Sequence, residues 1–247
     1  MKTAFIITSA IKFKDSSSSE QLVRLQQTIN TIHSIKLKVK DAHIFLIEVG
    51  SDELNEEWLR LFPKDVNVLS LVNNQRINSI QEDAVESSER MFTKYTSKGK
   101  TPEELKKFIK VGYIKSVTEH FALQILFKAY DFSLYDLVFK ISGRYFLNED
   151  FVLSNYSTNG ITAKQIGKDS QGTSLWAFSG NYFNQLENLW PNVLKNMLIR
   201  FKSDKITDIE QCMYITYSKS EIPNKYINTL GVTGVINNPF GPYLLSS

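Results

Sequence analysis

One cysteine, Cys212, stands in 247 residues. A lone thiol excludes an internal disulfide and any all-cysteine metal site, and it fits a reducing compartment. Histidine is scarce too: His33, His43 and His120 share no ligand spacing with one another and a carboxylate, so no zinc site is expected. No apolar run approaches the roughly 20 residues that a membrane-spanning helix needs. Nor is one sign of charge in large excess. The 29 Lys and Arg against 26 Asp and Glu leave a formal charge of +3, too mild for the basic stripe of a nucleic-acid binder. That balance suits a protein that handles anionic substrates or touches an acidic membrane surface. A soluble cytoplasmic protein is the expectation, with at most peripheral contact at the inner face of a membrane.

What is present is ordinary globular material, 42% hydrophobic and 22% charged, enough for a sizeable core. The opening MKTAFIITSAIKFK superficially resembles a secretory leader, but it lacks a small-residue cleavage site and leads straight into a polar helix. It reads as a first strand, residues 3–10. KFKDSSSSE is a loop whose serines offer an N-cap. In EQLVRLQQTINTIHSIKLK, Leu22, Leu25, Ile29, Ile32 and Ile35 fall at helical spacing. AHIFLIEVGSDE is a second buried strand with a Gly-Ser turn and an acidic helix start, and VNVLSLV is a third strand. Strand, helix, strand, helix, strand implies an α/β fold, a mostly parallel sheet with covering helices.

From Asn73 to about Pro102 the pattern dissolves into polar residues, too long for a plain connection, and it reads as a functional or mobile loop. A long central helix follows to Tyr130, with a break near Gly112. Then comes YDLVFKISGRYFLNEDF, a buried strand over 136–141 that runs into Ser142-Gly143-Arg144. TSLWAFSGNYFNQLENLW is a strand and a helix, DIEQCMYITY a helix, and the tail GVTGVINNPFGPYLLSS, with its glycines and prolines, is loop-like. No repeat or linker divides the chain, so it is taken as one domain over 1–247, with a nucleotide-binding half to residue 130 and a donor-sugar and acceptor half after it.

Over residues 3–215 the order of these elements resembles the nucleotide-sugar-dependent glycosyltransferases of the A-type fold, of the bacterial surface-polysaccharide kind. The resemblance rests on AFIITSAI, on the helix RLQQTINTIHSI, on FLIEVGSDE, on VGYIKSVTEHFAL, and on LVFKISGRYFLNEDF in the place of the strand whose end usually carries Asp-x-Asp. It implies a single Rossmann-like domain that moves a hexose from a nucleotide diphosphate sugar, UDP-linked, to a glycan or glycolipid acceptor in surface polysaccharide or lipopolysaccharide synthesis.

The departure at the last motif is chemically specific. Carboxylates there would hold Mg²⁺ or Mn²⁺ against the departing diphosphate. Ser142, Gly143 and Arg144 offer a divalent cation nothing, whereas a guanidinium offers a diphosphate a bidentate, permanently charged partner. Metal-independent transfer is therefore expected, with no metal or other cofactor. Arg144 would do the metal's work, Lys140 or Lys115 would add a point charge, and Gly143 would let backbone approach the phosphates. The plainer reading pairs Arg144 with Glu149 or Asp150 and makes Lys140 an edge cation.

Around that turn, Thr8, Ser9 and Ala10 would line the nucleoside pocket through backbone groups. Glu48 would accept from a base or ribose, or else serve the start of the next helix together with Asp52 and Glu53. Arg24 would reach donor phosphate or face solvent. Lys115 and Glu119, one helical turn apart, could pair with each other. His120 is expected to be packed and Cys212 to fill core. Trp176, Phe178 and Trp190 are expected to be core, and Tyr182 with them unless one of the four stacks on an acceptor sugar. In TDIEQCMY, Asp208 or Glu210 would take the proton of an acceptor hydroxyl, though the same letters make an ordinary capped helix start. Two rivals stand beside this reading. A sugar-nucleotide nucleotidyltransferase would need glycines in TSAIKFKDSSSSE, which has none. The other is a non-catalytic nucleotide- or glycan-binding protein of the same fold.

Overall fold

The computed structural model describes residues 1–13, 16–79, 101–104, 114–203, 209–238 and 241–246. The chain opens with β1 (Thr3–Ser9), α1 (Ser18–Lys38), β2 (His43–Glu48), a single turn α2 (Glu56–Leu59) and β3 (Val66–Ser70). After α3 (Lys115–Ala129) come β4 (Leu137–Ser142), β5 (Tyr145–Leu147), β6 (Ile161–Ala163) and β7 (Leu175–Phe178). Two helices, α4 (Phe183–Lys202) and α5 (Ile209–Tyr217), precede β8 (Asn224–Tyr226), β9 (Val232–Asn238) and β10 (Gly241–Ser246).

Seven strands form one sheet in the order β3-β2-β1-β4-β7-β6-β8. The first four are parallel, β7 alone runs against its neighbours, and β6 and β8 return to the common direction. This is the mostly parallel α/β sheet that the strand-helix alternation implies. Register is set by burial on both faces, as in parallel sheets generally. Ala4, Ile6 and Val138 point into the layer built with α3, α4 and α5. Phe5, Ile7, Phe139 and Ile141 point the other way, into the layer of Leu25, Ile32 and Ile35 from α1. Phe5 and Phe139 stack at 4.5 Å between ring centres.

The serine loop caps α1 as its composition implies. Ser17 accepts from the Glu20 backbone N–H while the Glu20 carboxylate accepts from that of Ser17, a reciprocal cap worth about 1 kcal/mol. The buried face of α1 is rotated from the apolar stripe read in the sequence. Leu22 is exposed and Ile29 only half-buried, while Thr28 and Thr31 are buried. Thr31 takes an interior position with its hydroxyl on the Tyr145 carbonyl, while Thr28, packed beside Gly143, donates to Arg24 O of its own helix at 3.0 Å.

The tail corrects the sequence reading. Rather than a loop, β9 and β10 form an antiparallel hairpin, and β9 also pairs with β5, so that a second, three-stranded sheet begins directly after the Ser142-Gly143-Arg144 turn. Gly234 belongs to that pairing by necessity, since a Cβ there would stand 2.5 Å from the carbonyl of Arg144. Of the long polar segment, residues 75–79 are helical; residues 80–100, and the Gly112 break in the next helix, lie outside the described residues. No helix among the described residues is long and apolar enough to cross a membrane.

Candidate functional site

The turn after β4 is fixed from three directions before any ligand is considered. Gly143 N donates to Thr8 O at 2.8 Å, and Ser142 N to Ser174 O at 3.3 Å. From α1, Thr31 Oγ1 donates to Tyr145 O at 2.6 Å and Thr28 Oγ1 reaches Gly143 O at 3.5 Å. Gly143 owes its identity to this packing, because a Cβ would meet Thr28 Oγ1 at 3.0 Å and Ser9 Cβ and Thr8 O at 3.4 Å. The space its missing side chain provides is bordered by β1 and α1.

Four cations reach this end of the sheet from separate elements. Arg24 lies one turn before Thr28 on α1, Lys115 begins α3, Lys140 is the fourth residue of β4, and Arg144 follows the turn. They sense one another. Burial and then the charge of Arg144 push Arg24 down to about 10. Lys115 is pushed down to about 8 by desolvation first, then by Arg144, with Lys140 adding to the effect and Glu119 and Glu210 opposing it. Lys115 is exposed at the start of α3.

Their partners decide which of them is available. Glu119 forms an ion pair with Lys140 rather than with Lys115. Lys140 also donates to Thr173 O at 3.1 Å and is 1% exposed. It sits in the middle of the sheet, so it is neither an edge cation nor a point charge open to a ligand. Glu149 bonds to Lys38 at 2.8 Å rather than to Arg144. Arg144 rests near the Tyr145 ring, 5.9 Å from its centre. Arg24 lies 5.6 Å over Phe13. Among the described residues, Arg24, Lys115 and Arg144 make no ion pair within 4.0 Å with a carboxylate. Burying like charges together is costly unless an anion joins them.

Glu48 ends β2, as its place in the sequence implies, and is buried. Its carboxylate accepts from Ser9 Oγ at 2.5 Å, Ile11 N at 2.8 Å and Gly50 N at 2.9 Å, and the residue is 1% exposed. Burial raises its pKa against the pull of those three bonds. Glu48 thus ties together the loops that leave β1 and β2, with Gly50 close enough that a Cβ would lie 2.6 Å from the carboxylate. It also lines one side of a cavity of about 180 Å³ with Glu53, Leu54, Leu59, Val68 and Ser70. Thr8 and Ser9 are buried with their carbonyls engaged by Gly143 N and Val49 N, which leaves Ala10 as the exposed member of the three.

Glu210 stands in the first turn of α5 and accepts from Thr173 Oγ1 at 2.7 Å. Asp208 lies outside the described residues. Sequence reasoning missed Thr173, Thr28 and Thr31; the two helix threonines signalled themselves only as β-branched polar residues within an apolar stripe. The packed residues fall as expected, with His120, Cys212, Trp176, Phe178 and Trp190 fully buried and Tyr182 alone of its group reaching the surface. The residues at the turn do not fit a divalent cation. They present no carboxylate, and no three His, Cys, Asp or Glu side chains among the described residues converge to hold one.

No family model matches the sequence, and comparison with curated proteins finds no match. Solved structures do match. An active-site mutant of LgtC aligns with a TM-score of 0.50 at 9% identity, over 92% of this chain and 72% of that one. Core-mannan synthase A of Aspergillus fumigatus, in its Mn/GDP form, also gives 0.50 at 9% identity, over 87% of this chain and 69% of that one. The fold is that of the A-type glycosyltransferases. Glycosyltransferase GlyE of Streptococcus pneumoniae TIGR4 aligns over 91% of this chain at 8% identity and a TM-score of 0.48, and this chain spans 45% of its length. In this glycosyltransferase fold, the cation cluster lies at the carboxyl ends of the parallel strands, where open α/β sheets take their ligands.

Proposed function

We propose that this protein transfers a hexose from a UDP-linked sugar to a glycan or glycolipid acceptor in surface polysaccharide or lipopolysaccharide assembly, without a divalent metal. The observation that carries the reading is the group of three cations, Arg24, Lys115 and Arg144, beside the turn after β4, which make no ion pair within 4.0 Å with a carboxylate among the described residues. A diphosphate compensates them, and they compensate it most when the glycosidic bond breaks and charge collects on the leaving oxygen. Arg144 takes the position nearest the strand end and replaces the metal. Arg24 and Lys115 hold the remaining phosphate oxygens, while Lys140 supports them from within the sheet. Glu210 accepts the proton of the acceptor hydroxyl. The backbone of residues 8–10, with Glu48 behind it, shapes the nucleoside end.

The test is release of UDP from a panel of UDP-sugars, with candidate glycan acceptors, in excess EDTA. Turnover is expected to persist in EDTA and to gain little from Mn²⁺. Activity abolished by EDTA and restored by Mn²⁺ would refute metal independence. Tight UDP binding without turnover of any donor would make the protein a binding module.

A further inference from the structure

We infer that Thr173 is the positioning residue that aims Glu210 and keeps it ionised. The inference rests on the transferase reading, in which Glu210 receives the acceptor proton. Thr173 connects the cation side of the site to the carboxylate side through its backbone and its side chain at once. Its carbonyl accepts from Lys140 Nζ at 3.1 Å, and Lys140 is in turn held by its ion pair with Glu119 on α3. Its hydroxyl donates to Glu210 Oε1 at 2.7 Å. The next residue, Ser174, accepts at its carbonyl from Ser142 N, two positions before Arg144. Residues 173–174 are therefore tied to the turn that carries Arg144, to the buried lysine and to the base.

The chemistry asks for such a residue. A carboxylate that removes a proton must be ionised and hold one rotational setting against the acceptor hydroxyl. A hydroxyl that donates to it, as Thr173 does here, favours the ionised form and restrains its rotation. Threonine suits this better than serine, because its branched Cβ restricts χ1. Lys115 at the start of α3 feels the charge of Glu210, together with those of Arg144, Glu119 and Lys140. On α4, Arg200 donates to the neighbouring Gln211 at 2.6 Å. Thr173 adds to these charges a short bond directed at one carboxylate oxygen.

Thr173→Val keeps the shape and the carbonyl that holds Lys140 but removes the donor; Thr173→Ser keeps the donor. In UDP release from the best UDP-sugar, Thr173→Val is expected to lower kcat about tenfold, the loss of one charge-assisted hydrogen bond. KM for the donor should stay within about twofold. The acidic limb of its pH profile should move to higher pH, and Thr173→Ser should restore both. A readout free of turnover accompanies it: a ¹³C titration of the Glu210 carboxyl, identified as the resonance missing in Glu210→Gln. Its midpoint is expected to rise in Thr173→Val. An unmoved titration, or a moved one with unchanged kcat, overturns the role of Thr173 while the transferase reading stands. Absence of UDP release by the wild type from every donor overturns that reading and this role with it, whatever the titration shows.

Discussion

Arg24 lies close enough to Arg144 that burial, and then the charge of Arg144, lower its pKa, and neither guanidinium forms an ion pair with a carboxylate within 4.0 Å among the described residues. Such a pair costs the empty protein energy and is stabilised by an anion. Arg144→Ala should therefore lose about 10²–10³ in turnover. Its Tm should hold or rise slightly, since a repulsion has been removed. Arg24→Ala should weaken UDP binding about tenfold with the same absence of a thermal penalty. Arg144→Lys keeps the charge without the fork and should fall between Arg144→Ala and wild type. Calorimetric UDP titrations and thermal unfolding of the three variants check this. A Tm fall of more than about 4 °C in either alanine variant would mark that arginine as structural.

Lys115 gives the site a pH dependence above neutrality. Desolvation, with Arg144 beside it, brings its ammonium down to about 8. The side chain is then mostly charged at pH 7 and mostly neutral at about pH 9. UDP affinity should fall several-fold across that interval as one cation is lost. Lys115→Arg, which stays charged, should flatten the profile, and Lys115→Met should show the weak affinity at every pH. Parallel pH profiles for wild type and Lys115→Arg would remove Lys115 from the anion site.

Glu48 should matter to folding more than to chemistry. Glu48→Ala strands the buried N–H groups of Ile11 and Gly50 and the Ser9 hydroxyl, at a cost of about 2–4 kcal/mol. Burial raises its carboxyl, so the native state binds its proton more tightly than the unfolded chain does. That contribution is complete below the unfolded pKa and fades as pH rises through the folded one. Glu48→Gln, which does not titrate, should remove this component. Urea unfolding of both variants at pH 5 and pH 7 measures it, and an unaltered midpoint in Glu48→Ala would contradict the assignment.

His120 predicts the opposite slope at acid pH. It is fully buried, stacks on Trp190 at 4.9 Å and 1°, and burial pushes it down to about 3. Its folded pKa is below the unfolded one, so stability is intact above about pH 6.5 and is lost as pH falls toward 3. By pH 5 the loss should reach about 2 kcal/mol. His120→Phe keeps a flat ring against Trp190 and should lessen that acid sensitivity. Equal acid slopes in the two proteins would show that the buried imidazole is not its source.

The strands β1, β2, β3 and β4 could be read directly because each is a short apolar run with polar punctuation. β9 and β10 could not, because their glycines and Pro242 read as turn signals, and Gly234 is there to admit the Arg144 carbonyl rather than to bend the chain. At the site, sequence position was enough to bring Arg24, Lys115, Lys140 and Arg144 to one end of a parallel sheet. What it could not supply was their pairing. Whether Glu119 meets Lys115, one helical turn away, or Lys140 on another element depends on which face of β4 meets α3. The tie from Thr173 to Glu210 joins residues 37 apart that no local pattern connects.

The anchoring of the turn after β4 has a consequence of its own. Its path is held by the Thr8 carbonyl, by the Thr31 hydroxyl, and by β9 closing on β5. None of these contacts uses the side chain of residue 144. The scaffold thus specifies a place without specifying the polarity of what stands there. One backbone can present an acid to bind a cation or a base to bind an anion, and inverting the sign of the centre leaves these supports untouched.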